Sequence, residues 1–350
     1  MPNSIPPQMN AVVLLGHGGL EKLEYRKIDT PKPQAGEVLV RVRACALNHL
    51  DIWTRLGLPG VEIKMPHILG CDISGEIVEL GQGISDFKIG QRVAVLPGVS
   101  CGRCDVCSSG WDSTCDQYKI IGFLRSGGYA EYVSLPARNI IPVSEKLKFE
   151  EWASIPLVFL TAWHMLVKHG HLIKGETVLI QGASSGVGSA AIQIAKYFGA
   201  KVITTVGDDK KIEQARKLGA DYVINYQKIK VSEEVKKMTA GRGVDLVIDH
   251  IGENTWEQSL ASLSKRGRLV TCGATTGGDV KLNLRQLYMR QISVTGSYMG
   301  GRPAMLEIIK LIEAGNLKPV IDKIFPLKDA RLAQERMESR RHFGKIVLSV

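Results

Sequence analysis

Thr177-Val178-Leu179-Ile180-Gln181 leads directly into Gly182-Ala183-Ser184-Ser185-Gly186-Val187-Gly188, and the helical periodicity of Gly188–Phe198 follows. An apolar strand, a turn of small residues and a helix, in that order, place a dinucleotide site at the turn. Small residues let the backbone approach a pyrophosphate, and the helix N-terminus supplies N–H donors and a positive dipole end. Ala183 and Ser185 stand at the first two glycine positions of the G-x-G-x-x-G pattern, and Gly188 holds the third. The competing reading is a small-residue turn needed only for packing. Its surroundings argue against that, because the unit repeats.

Downstream, Lys201–Val206 is a second strand and Asp209–Leu218 a helix; Asp221–Asn225, Asp245–Asp249, Arg268–Cys272 and Gln291–Gly296 continue the series of short apolar strands. Apolar strands separated by helical stretches of ten to fifteen residues indicate βαβ units and a doubly wound parallel sheet. Upstream the texture differs. Glu37–Val42, Gly75–Leu80, Gln91–Leu96 and Tyr129–Leu135 are short β-like runs broken by Gly and Pro, the pattern of a mostly antiparallel β domain. The final 50 residues hold one amphipathic helix, Ala304–Ala314, and end in the strand Gly344–Val350. The fold class is α/β.

The 350 residues carry 45 Lys+Arg against 35 Asp+Glu, a formal charge of +10, with 44% hydrophobic residues. Such a composition excludes disorder and fibrous classes. The basic residues are scattered and form no tract, so nucleic acid is not the expected partner; a diffuse excess suits solubility or a phosphorylated small molecule. The longest apolar stretch, Ile155–Leu166, spans 12 positions, short of the roughly 20 that cross a bilayer. No membrane association is expected. The first ten residues lack the pattern of a signal peptide, so the expected location is cytoplasmic.

Four of the seven cysteines crowd into one segment, Cys101-x2-Cys104-x2-Cys107-x7-Cys115, while Cys45, Cys71 and Cys272 stand alone. Four thiolates in a short loop can close a tetrahedral shell around a structural zinc ion, one per chain. An iron–sulfur cluster is the lesser reading, since the ferredoxin run closes with C-x3-C-P and here Asp116 follows the last cysteine.

The residues leave NAD(H) and NADP(H) open. Asp208 follows Gly188 by 20 positions, the usual separation of a ribose-binding acid, but Val206 and Gly207 end the strand with small, uncharged groups. Lys210 and Lys211 come next and could pair with a 2′-phosphate. His250, Gly252, Gly273, Gly296 and Ser297 terminate the later strands, where doubly wound sheets bind ligands.

Together these features resemble the medium-chain dehydrogenase/reductase superfamily over essentially the whole chain. Gly70-Cys71-Asp72 stands where zinc alcohol dehydrogenases carry Gly-His-Glu; Gly127-Gly128-Tyr129-Ala130-Glu131-Tyr132 resembles the Gly-x-x-Ala-Glu strand; and Ala183–Gly188 is similar to the Ala-x-Ser-Gly-x-Gly turn of quinone oxidoreductases. The resemblance implies a GroES-like catalytic domain over 1–157 with a zinc lobe at about 98–118, a Rossmann domain over 158–297, and a return segment over 298–350 that completes the first. It implies an active site in the cleft between the domains. The family also pairs Rossmann sheets edge to edge, which implies a homodimer or homotetramer.

The departures from the family bear on chemistry. By similarity, the three catalytic-zinc positions fall on Asn48, Cys71 and Leu157, and the proton-relaying hydroxyl falls on Leu50. An amide, one thiol and a leucine make a poor zinc site. The Asn48-x-x-Asp51 pattern resembles the zinc-independent quinone oxidoreductases and enoyl reductases instead. The resemblance places His49 at a pyrophosphate contact, Thr161 against the nicotinamide, and Lys211 and Tyr226 at the 2′-phosphate, favouring NADP(H) over NAD(H). The expected activity is hydride transfer to a small-molecule acceptor: an α,β-unsaturated carbonyl, a quinone or a carbonyl. Asn48, His49, Cys71 and Asp72 are the expected catalytic groups. The alternatives are an alcohol dehydrogenase with a metal site rebuilt on Cys71 and Asp72, and a non-enzymatic NADPH-binding protein.

Overall fold

The computed structural model describes residues 5–350. It divides into two compact units, one comprising the chain through 157 with 301–313 and 319–350, the other 158–300 with 314–318.

In the first unit, a seven-stranded sheet runs in the order Ile140–Pro142, Arg92–Val95, Asp72–Leu80, Glu37–Ala46, Lys345–Ser349, Ile321–Pro326, with Tyr132–Pro136 also paired to Glu37–Ala46. Its pairings are antiparallel except the last, where Ile321–Pro326 and Lys345–Ser349 run parallel. Glu37–Ala46 is the central strand. Val38, Val40, Ala44, Cys45 and Ala46 are fully buried, so both of its faces are covered, and it is longer than the run read from sequence. Its register matters for the chemistry: Ala46 lies between Asp72 on one neighbour and Val347 on the other. The residues just beyond these pairing points therefore converge, although they are far apart in sequence.

The second unit is a six-stranded, all-parallel sheet in the order Tyr222–Asn225, Lys201–Val206, Thr177–Ile180, Val244–Asp249, Leu263–Thr271, Ser293–Gly296. In order of appearance this is 3-2-1-4-5-6, the doubly wound arrangement. Leu179 pairs with both Ile203 and Val247, and Val247 with Leu269; this buried row forms the middle of the core. The helix after the first strand spans Gly186–Tyr197 and buries Ala190, Ala191, Ile194 and Ala195. It begins two residues before the sequence reading because Ser185, not a later residue, supplies its cap. The stretch from Asp209 opens with a 3₁₀ turn, Asp209–Lys211, before the α-helix Ile212–Lys217. No helix among the described residues is long and apolar enough to cross a membrane.

Candidate functional site

The cysteine segment forms a closed lobe. Cys104 begins a short turn of helix, Asp105–Ser108, which brings Cys107 back beneath it, and the 3₁₀ turn Asp112–Thr114 delivers Cys115. All four sulfurs lie within 4.8 Å of one another; Cys104 and Cys107 are 3.5 Å apart, Cys104 and Cys115 3.8 Å, Cys101 and Cys107 3.9 Å. Tetrahedral zinc–thiolate bonds of about 2.3 Å require sulfur separations of about 3.8 Å, so the residues fit a zinc ion. Backbone N–H groups of Arg103 and Cys104 point at Cys101 and draw its thiol down to about 6. Although the backbone N–H of Cys107 favours its thiolate, the sulfurs of Cys101 and Cys107 push Cys104 up to about 12. Cys104 keeps its proton by donating it to those sulfurs, and a bound dication would take that proton's place. The lobe is tied down by Arg138, which donates to Ser100 O at 2.8 Å, and by the buried Asp112, which accepts from Ser100 Oγ at 2.8 Å.

A second polar cluster lies at the end of the central strand of the same unit. Asn48, Asp51, Cys71 and Asp72 are all buried there. Asp51 is a structural hub: it accepts from Asn48 N at 2.8 Å, from Gly70 N at 3.1 Å and from Tyr129 Oη at 3.2 Å. Burial pushes its carboxyl up to about 6 despite those donors. Asn48 Nδ2 donates to Asp72 Oδ2 at 2.9 Å and to Cys71 Sγ at 3.3 Å. Burial, with Asp72 and Asp51 beside it, raises the Cys71 thiol well above its ordinary value, so it stands as a neutral group. Leu157 contributes no side-chain ligand, but its N–H donates to Asp72 Oδ1 at 2.7 Å. His49 opens the helix His49–Leu56, packs edge-on against Trp53, and is kept neutral mainly by burial and then by the positive charge of Arg340.

Sequence reasoning passed over one member of this cluster. Lys345 is 3% exposed, and its ammonium meets Asp72, Asn48 and the carbonyl of Leu47. The available signal was a lysine inside an otherwise apolar terminal strand, since a strand covered on both faces cannot hold a charge without a partner.

In the second unit the glycine-rich turn sits at the C-terminal ends of the first and fourth strands, the switch point where such sheets bind ligands. Ser185 Oγ accepts from Gly188 N at 2.8 Å and lies 2.8 Å from His250 Nε2. Gly188 packs so closely beneath the turn that a Cβ there would fall 2.1 Å from Gly182 O; no other residue fits. His250, Gly252 and Gly273 gather at neighbouring strand ends, with Gly273 against the His250 carbonyl. Gly296 ends the edge strand, and Ser297 next to it bonds Thr271 O through its N–H at 2.7 Å and meets His164 Nδ1 at 3.2 Å. Thr161 is buried one turn before His164, where the α-helix Pro156–Trp163 passes into a π-helical turn, His164–His169. At the end of the second strand, Gly207 lies under the Tyr226 ring and Lys211 Nζ lies 3.4 Å from Ser184 Oγ. Asp208 turns back to accept from Lys210 N at 3.0 Å, capping the 3₁₀ turn.

Residues 186–314 match the family described as "Zinc-binding dehydrogenase", and residues 34–145 match "Alcohol dehydrogenase GroES-like domain". The chain is 35% identical to an NAD-dependent alcohol dehydrogenase of Sulfolobus acidocaldarius over 98% of its own length and 100% of that protein's. It is 32% identical to an acryloyl-coenzyme A reductase of Metallosphaera sedula, covering 97% and 100%. Among solved structures, a crystal structure of an NAD-dependent alcohol dehydrogenase superposes with a TM-score of 0.94 at 43% identity, covering 98% and 100%. Parallel sheet, GroES-like unit, cysteine lobe and matches along the whole chain converge on one conclusion: the chain belongs to the medium-chain dehydrogenase/reductase superfamily and is an NAD(P)-dependent oxidoreductase.

Proposed function

We propose that the protein transfers hydride from NADPH to a polarised acceptor, an α,β-unsaturated carbonyl, a quinone or a carbonyl, and does so without a catalytic zinc ion. The observation that carries this reading is the donor set at the family's catalytic-metal positions. Asn48 offers an amide whose hydrogens are already given to Asp72 and Cys71, Cys71 is the single thiol of the three positions, and Leu157 offers no side-chain donor. These residues do not fit zinc, which takes thiolate, imidazole or carboxylate. The nicotinamide ring supplies the hydride chemistry, and the protein aligns it. With Asn48 engaged inside the cluster, the neutral ring of His49 and the cofactor's own hydroxyls are the donors left for developing negative charge on an acceptor oxygen.

Three features favour NADPH: no side chain at Gly207, the Lys211 ammonium near Ser184, and Asp208 spent on a cap. The Sulfolobus relative is named as NAD-dependent, so cofactor choice is part of the test. Metal analysis beside a panel of acceptors decides the reading. One zinc per chain with NADPH-driven enone or quinone reduction is the expected result; two zincs with NAD-driven alcohol oxidation would overturn it.

The expected self-association has a surface to use. Ser293–Gly296 is an edge strand of the parallel sheet, and Leu284, Tyr288 and Met289 beside it are each about two-thirds exposed. An open edge flanked by apolar side chains favours pairing with a second copy. Light scattering should report a dimer or tetramer, and a clean monomer would refute it.

A further inference from the structure

Lys345 sits at the head of the strand Lys345–Ser349, where Ile346, Val347 and Leu348 are fully buried. A lysine ammonium removed from water needs an acceptor for each of its three hydrogens and a compensating charge. It has them: Leu47 O at 2.6 Å, Asn48 Oδ1 at 2.7 Å and Asp72 Oδ2 at 2.8 Å. Asp72, itself fully buried, is satisfied in turn by Lys345 and Asn48 on one oxygen and by Leu157 N on the other. Because Asn48 turns its oxygen to the ammonium, its NH2 must face Asp72 and Cys71. The pocket that would otherwise gather a thiol, a carboxylate and an amide oxygen is therefore charge-balanced and filled by a side chain.

We propose that Lys345 is the resident cation of this cluster: its ammonium neutralises Asp72, fixes the orientation of the Asn48 amide, and by occupying that place keeps a divalent ion out. The inference rests on the metal-free reading above and supplies its physical cause. Lys345 is a positioning residue, since it acts through Asn48 and Asp72. Removing the ammonium while keeping Asp72 leaves a buried carboxylate beside Cys71 and the Asn48 oxygen, a donor set that a divalent metal can satisfy.

The test is to titrate the zinc-loaded, full-length protein with Co2+, following metal per chain and the near-ultraviolet absorption that cobalt–thiolate bonds produce. Wild type is expected to hold one zinc and take up no cobalt. Lys345→Ala is expected to bind one further equivalent at least 100-fold more tightly than wild type, with the thiolate band. Both should vanish in Lys345→Ala/Asp72→Asn and the band in Lys345→Ala/Cys71→Ser. A folded Lys345→Ala that stays at one metal per chain overturns the inference while leaving the metal-free reading intact. A wild-type chain already holding two ions refutes that reading, and the inference with it. Should Lys345→Ala fail to fold, refolding with and without Co2+ replaces the titration: recovery by the ion supports the proposal, and its absence overturns it.

Discussion

The Tyr226 hydroxyl lies against Gly207, 2.5 Å from where a Cβ at that position would stand. The end of the second strand thus has room for a ring but not for the acidic side chain that would bind a ribose diol, while Lys211 reaches to 3.4 Å from Ser184 Oγ on the turn. Lys211→Ala should raise KM for NADPH by about tenfold or more, the effect of losing one charge-assisted contact of about 1.5–3 kcal/mol, and leave NADH kinetics nearly unchanged. Specificity constants for the two cofactors check this; equal losses for both would refute the assignment.

Removal of a lobe thiolate should separate metal content from chemistry. Cys104→Ser is expected to release the structural zinc, because a closed four-thiolate shell loses both charge and geometry with one ligand. The melting temperature should fall by about 3–5 °C, the shift that a loss of a few kcal/mol produces in a chain of this size. Metal analysis and a thermal melt are sufficient. A variant that keeps its zinc and its melting temperature would show that the other three cysteines suffice.

Ser185 caps the helix Gly186–Tyr197 and contacts His250 at once, each at 2.8 Å. Ser185→Ala should cost about 1–2 kcal/mol in denaturant unfolding, the usual range for a lost N-cap, and weaken dinucleotide binding several-fold. Ser185→Thr should restore most of both. Equal stability for Ser185→Ala and wild type would mean that the cap contributes nothing here.

Two buried groups give stability opposite dependence on pH. Burial, with His169 beside it, lowers His164 to about 4 from an unfolded value near 6.5. Its contribution is complete above about pH 6.5 and is lost as pH falls towards 4, because the unfolded chain then binds the extra proton. Asp51, raised by burial to about 6 from 3.8, does the reverse: the folded state holds the extra proton, so stability falls as pH rises from about 4 to 6. Each group contributes a slope of at most about 1.4 kcal/mol per pH unit. His164→Gln should therefore flatten acid destabilisation, whereas Asp51→Asn should steepen it while lowering stability throughout. Urea midpoints between pH 4 and 7 read both slopes; two variants shifted in the same direction would contradict the assignment.

Much of the parallel-sheet unit was legible because its signals are local. A strand, its turn and its helix occupy some twenty consecutive positions, and Gly188 is required by a close approach within that same unit. The lobe was legible for the same reason: Cys101 to Cys115 close on themselves within one segment, so spacing alone brings the sulfurs near one another. Helix starts moved by a residue or two where capping decided them, as at Ser185, and a 3₁₀ turn replaced the first helical turn after Asp208.

By itself, then, the sequence determined the strand and helix runs of the doubly wound unit, the strand runs of the β-rich unit and the four-thiolate lobe, each signalled by near neighbours in the chain. The company kept by Asn48, Cys71 and Asp72 was decided only in the tertiary structure. Lys345 lies 273 residues from Asp72 along the chain, and the register of three adjacent strands brings them to 2.8 Å. Whether a lysine is a solvated surface charge or a buried counter-ion depends on what surrounds it, and that environment exists only once the strands have paired.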